Sequence, residues 1–140
     1  MRDIIVGIDR SETAGMAAQR AADLAAVHGD NLHVVMCVER DQPVDIRIGS
    51  DRFRHDSRSE SGDFADDLAR KLGAERFTHS IRYGDPAKIL CEEAAARDTR
   101  MIVVGNRRVQ GMARVLGSVA ADVIRHAPCD VLVVNTTAAA

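Results

Sequence analysis

Four short apolar runs and a fifth, weaker one alternate along this chain with segments whose apolar residues recur every three or four positions. The first run, Ile4-Ile5-Val6-Gly7-Ile8, is continuous, as expected of a strand buried on both faces. Ser11 is placed to cap a helix in which Ala14, Ala17, Ala18, Ala21, Leu24 and Ala25 share one face, with Gly29 as its stop. Residues 32–38 read as a second buried strand. From Glu39 to about His55 the chain is charged and irregular, and the arginine-bearing stretch 47–58, mixed with Asp51 and Asp56, reads as a solvated mobile loop rather than a phosphate patch. Phe64, Leu68 and Leu72 then mark one stripe of a polar helix that ends at Gly73.

Residues 77–81 form the weaker strand, expected near a sheet edge. Asp85 as cap and Pro86 at the first helical position open the next helix. Residues 101–104 give a fourth strand, residues 118–126 a last helix closed by Ala127-Pro128, and Val131, Leu132, Val133 and Val134 a fifth strand. Residues 136–140 read as a frayed tail. Strict alternation of strand and helix predicts one α/β domain over residues 1–140, a five-stranded parallel sheet with right-handed crossovers and helices on both faces.

Composition narrows the class. With 140 residues, 46% of them hydrophobic, the chain suits one domain with a full core. A net charge of -2 argues against a general nucleic-acid or anionic-membrane binder, and no apolar run approaches the roughly 20 residues that span a bilayer. One Tyr, three Phe and no Trp leave no stacking platform for single-stranded nucleic acid. Cys37, Cys91 and Cys129 are odd in number and sit in apolar segments, which reads as small buried residues in a reducing, cytoplasmic compartment. His33, inside a buried strand pattern, reads as a satisfied core histidine, and the histidines show no metal-ligand spacing. No nucleophile–base pair can be argued for Ser11, Ser118 or Cys37, so an enzyme has no warrant.

The segment with chemical content runs from Val103 to Ser118. A β-branched run stops at Gly105-Asn106, a basic loop with Arg107, Arg108 and Arg114 follows, and Gly117-Ser118 opens a helix. Glycines admit a ligand close to the backbone, and helix-start N–H groups attract anions, so this reads as a phosphate cradle. In open α/β sheets ligands bind beyond the carboxyl ends of the strands, where strand order reverses. That gathers Gly7-Ile8-Asp9, Cys37-Val38-Glu39 and the loop from Gly105 onward.

Three five-stranded families share this element order. A receiver domain lacks support, because the third strand leads into Arg82-Tyr83-Gly84 and the fifth ends Val134-Asn135-Thr136. A flavodoxin needs a glycine-rich loop after the first strand, where this chain has Asp9-Arg10-Ser11-Glu12. The sequence instead resembles the universal stress protein family. The resemblance rests on residues 4–14, on Gly84-Asp85-Pro86-Ala87-Lys88-Ile89, on residues 101–106 with Val115-Leu116-Gly117-Ser118-Val119, and on residues 127–134.

The resemblance implies a sheet of order 3-2-1-4-5 in an adenine nucleotide alpha hydrolase-like fold. It also implies a homodimer paired through Val131–Val134 and a stress-response module that binds ATP or another adenine nucleotide, with magnesium as its companion ion. Its nucleotide-binding members carry G-x2-G-x9-G-[S/T], which Gly105, Gly117 and Ser118 match. Arg108 replaces the second glycine, and Gly117 follows Gly105 by 12 positions where the pattern has 13. Asp9 matches the position near ribose and metal. Cys37, with Val38, falls at the backbone position that meets adenine, and Asn106 and Val119 flank the cradle. Two readings of Arg108 stay open: its guanidinium replaces backbone donors to phosphate, or its side chain fills the phosphate space. The second leaves a dimeric scaffold for an unidentified protein partner, without nucleotide. Slow ATP hydrolysis would be incidental to binding.

Overall fold

Isoleucines at successive positions of a central strand point to opposite faces, and the strand they form organises the molecule. The computed structural model describes residues 1–8, 14–38, 43–55, 61–106 and 116–136. The elements are β1 (Asp3–Ile8), α1 (Ala14–His28), β2 (Asn31–Val38), β3 (Val44–Ile48), β4 (Asp51–His55), α2 (Ser61–Leu72), β5 (Phe77–Tyr83), α3 (Pro86–Ala95), β6 (Thr99–Asn106), α4 (Ser118–His126) and β7 (Asp130–Asn135).

The main sheet has the order β5-β2-β1-β6-β7, all parallel. With β3 and β4 left out of the count, that is the expected 3-2-1-4-5 order. All eight residues of β2 are buried, whereas most of β5 and β7 at the edges are half-exposed, which explains why only the inner strands read as clean apolar runs. Ile4, Val6 and Ile8 pack with α1 and α2, and Ile5 packs with α3 and α4. Burying each such side chain contributes about 1.5–3 kcal/mol. The alanine face of α1 (Ala17, Ala18, Ala21 and Ala25) is almost fully buried. Gly29 and Gly73 end α1 and α2 at φ +68 and +71, a conformation that favours glycine. Asp85 caps α3 as expected, accepting from the Lys88 N–H at 3.3 Å, with Pro86 in the first turn.

Two expectations are corrected. Residues 44–55 are not an irregular loop but an antiparallel hairpin, β3–β4, turned by Gly49-Ser50 with Gly49 at φ +63. Ile46 and Ile48 are buried and Phe53 is partly so, which seats the hairpin on α1 and α2, and Lys71 of α2 pairs with Asp51 at 2.7 Å. Thr136, read as the start of a frayed tail, is 3% exposed and its N–H donates to the Asn106 carbonyl at 3.1 Å. The expected Ser11 cap and residues 137–140 lie outside the described residues.

Three ion pairs cluster at one end of the sheet. At the N-terminal ends of the strands Asp3 pairs with Arg97 at 2.6 Å, Arg2 with Asp98 at 3.2 Å, and Asp30 with Arg100. The Arg100 guanidinium holds the Asp30 carboxyl below the usual carboxylate range, against the opposing effect of burial. No helix among the described residues is long and apolar enough to cross a membrane.

Candidate functional site

The carboxyl ends of β1 and β6 part company. Their pairing runs to Val6↔Val103, yet β1 continues to Ile8 and β6 to Asn106, which stays with β7 through Gly105↔Val134 and Asn106↔Asn135. This is where strand order reverses, since β2 and β5 extend to one side and β7 to the other. β2 overhangs as well: Ile8 is opposite Met36, so Cys37 and Val38 project beyond the end of β1. The structure therefore brings Gly7, Ile8, Cys37, Val38, Gly105 and Asn106 to the same end of the sheet, as the sequence places them. Asp9 and Arg108, with Arg107, Gly111 and Arg114, lie outside the described residues.

The loop after β6 returns at Gly117. Its N–H donates to Asn106 Oδ1 at 2.7 Å, a bond that ties the N-cap of α4 to the last residue of β6. Ser118, a residue type that suits a helix cap, is instead the first helical residue, because Gly117 is the N-cap of α4. A glycine cap has no side-chain oxygen to offer, and α4 has no side-chain cap bond among the described residues. The Ala121 N–H closes the first turn onto the Gly117 carbonyl at 2.9 Å. Gly117, Ser118 and Val119 are all exposed there. The arrangement suits an anion: helix-start N–H groups carry partial positive charge, and the residues that bear them here are exposed.

The glycines divide into two kinds. A Cβ on Gly7 would lie 2.7 Å from Leu90 Cδ1, and one on Gly105 2.8 Å from Thr136 Cγ2. Both are small because neighbouring side chains occupy the space, Leu90 of α3 on one face and Thr136 on the other. Among the described residues a Cβ on Gly117 would meet only Asn106 Oδ1, at 3.1 Å, so its smallness is not required by a packed neighbour there. Thr136 is the contributor that sequence reasoning missed; a threonine after an apolar strand carries no signal until its contact with Gly105 is seen. Cys37 is buried and all three cysteines are free thiols, with burial pushing the Cys91 and Cys129 thiols up.

His33 is buried away from this end. Thr78 Oγ1 accepts from Asn31 Nδ2 at 2.9 Å and from Arg97 Nη2 at 3.3 Å, which uses both of its lone pairs. Its own proton therefore goes to His33 Nδ1, 2.7 Å away, and the ring carries its hydrogen on Nε2, towards Ser80 Oγ at 3.3 Å and Glu93 Oε1 at 3.7 Å. Burial, assisted by Arg97, holds the imidazole below its usual pKa against the opposing pull of Glu93 and Asp3. This is a satisfied core histidine.

Comparison with known proteins returns one family. Residues 1–135 match the model of the universal stress protein family. A Staphylococcus haemolyticus protein named as a universal stress protein is 27% identical over 96% of this chain and 85% of its own length. Among solved structures, a universal stress protein in complex with cAMP superposes with TM-score 0.68 at 25% identity, covering 97% of this chain and 98% of the other. The universal stress protein of Archaeoglobus fulgidus in complex with dAMP gives TM-score 0.61 at 21% identity, covering 95% and 97%, a likeness of fold.

Proposed function

Because the chain belongs to the universal stress protein family, we propose that it is an adenine-nucleotide-binding module of the stress response, and that the ligand lies across the parting of β1 and β6. The observation that carries this reading is the exposed start of α4, whose glycine cap supplies no side-chain acceptor, at the sheet's switch point. The N–H groups of Ser118 and Val119 would hold phosphate oxygens, and the backbone of Cys37 and Val38 at the overhang of β2 would meet the adenine. Asp9 would stand near the ribose and, for ATP, near magnesium. Structural neighbours solved with cAMP and dAMP support the adenine part of the reading. The chemistry is binding, the ligand biasing the loops and through them contacts with a partner, in the cytoplasm where free thiols persist.

The test is Gly117→Trp. An indole at the loop mouth fills the space before the α4 N-terminus, so ATP binding by calorimetry should be abolished while the circular dichroism of the fold is kept. Affinity equal to wild type would place the cradle elsewhere. A second reading, a dimeric scaffold without nucleotide, is favoured by the packing roles of Gly7 and Gly105, which need no ligand to explain them.

We also propose a homodimer paired through β7. Val131–Val134 are all half-exposed on an edge strand that lacks lysine and proline, the residues that keep edges apart. Light scattering at micromolar concentration should give twice the 15.2 kDa chain mass; the mass of a single chain contradicts the pairing.

A further inference from the structure

The hairpin β3–β4 presents a cationic outer face on a chain of net charge -2. Because Ile46 and Ile48 point inward, alternation turns Asp45 and Arg47 outward, and the register sets Arg54 opposite Asp45 and Arg52 opposite Arg47. Three arginines and one aspartate thus share four adjoining positions. Like charges directly opposite on a sheet are destabilising, and the Arg47–Arg52 pair is tolerated through Asp45. Arg52 grips that carboxylate with two nitrogens, Nε at 2.8 Å and Nη2, diagonally across the ladder. The surrounding arginines, Arg52 foremost, hold the Asp45 carboxyl below its usual range. Arg47 and Arg54 are exposed and have no ion pair among the described residues. The β4 edge of this two-stranded sheet pairs with no further strand among those residues, whereas on the β3 edge the Arg47 carbonyl packs against Gly15 of α1.

We propose that this face binds an acidic segment of a protein partner in extended conformation, with carboxylates on alternate residues. Asp45 is the internal example of the ligand: the face already seats one carboxylate and keeps two further guanidinium groups beside it. Arg47 and Arg54 are diagonal neighbours across the ladder, a separation of about 7–8 Å, close to the roughly 6.6–6.8 Å between side chains two apart on an extended segment, so acids at every second residue can reach both. A nucleic acid fits less well, since Phe53, the hairpin's aromatic residue, is turned into the core and offers no ring for stacking.

The probe is a fluorescent peptide of alternating Glu and Thr, titrated by anisotropy into the full chain at low salt. Arg47→Gln with Arg54→Gln should weaken binding by about tenfold, and added salt should do the same. Asp45→Asn, which releases Arg52, should tighten it severalfold. Arg20→Gln with Arg125→Gln makes the same charge change on α1 and α4 and should leave affinity unchanged. Equal loss in both double variants, absence of peptide binding at millimolar concentration, or tighter binding of an oligouridylate of equal charge would each overturn the proposal.

Discussion

Replacing Gly15 with alanine should destabilise the protein by about 2–3 kcal/mol, although alanine is the better helix former by about 1 kcal/mol. The reason lies in the hairpin. A Cβ at position 15 would stand 2.0 Å from the Arg47 carbonyl oxygen and 3.0 Å from Ile48 Cγ1. The first of these is backbone, which cannot rotate away as a side-chain tip does. The hairpin must therefore lift off α1, and Ile46 and Ile48, now 0% and 7% exposed, lose their cover. Urea unfolding checks this, with limited proteolysis between residues 44 and 55 as a local readout. A midpoint at or above that of the wild type would mean the hairpin does not rest on α1 as described.

The second large effect is acid sensitivity centred on His33. Its folded-state pKa is lowered, so the unfolded chain takes up the proton first, near the ordinary value of 6.5. Stability is therefore full above that value and falls as pH drops, until the folded state also binds the proton. The slope from one group reaches at most about 1.4 kcal/mol per pH unit. Protonation at Nδ1 also sets a donor against the Thr78 hydroxyl, whose lone pairs already serve Asn31 and Arg97. The network joins β1, β2, β5 and the end of α3, so its loss loosens one face of the sheet. His33→Gln should be less stable at pH 7 but show a flatter decline between pH 7 and 5. A decline as steep as that of the wild type would assign the acid sensitivity to other groups.

How much of this was legible in the sequence follows from where the side chains point. The inner strands declared themselves because both their faces are buried. The helix starts and stops at Asp85, Pro86, Gly29 and Gly73 were equally plain, because each is local chemistry. The hairpin was missed although Ile46, Ile48 and Phe53 alternate about Gly49-Ser50, a two-residue turn between period-2 runs. The outward arginines and aspartates dominated the reading of that stretch. At the site, the sequence placed Gly7, Cys37, Gly105 and Gly117 at one end of the sheet, as the strand ends require. It could not tell that Gly7 and Gly105 are small for Leu90 and Thr136, because those contacts join residues 83 and 31 positions apart. Nor could it tell that Gly117 itself caps α4, leaving Ser118 inside the helix.

The central claim is that the switch point holds an adenine nucleotide, and one titration addresses it most directly. Nucleotide-stripped protein should be titrated with ATP by calorimetry, with and without magnesium, beside a melting curve at each endpoint. The account predicts saturable heat with one nucleotide per chain and a raised melting temperature. No heat and no melting shift at millimolar ATP would contradict it and leave the nucleotide-free scaffold as the reading of this fold.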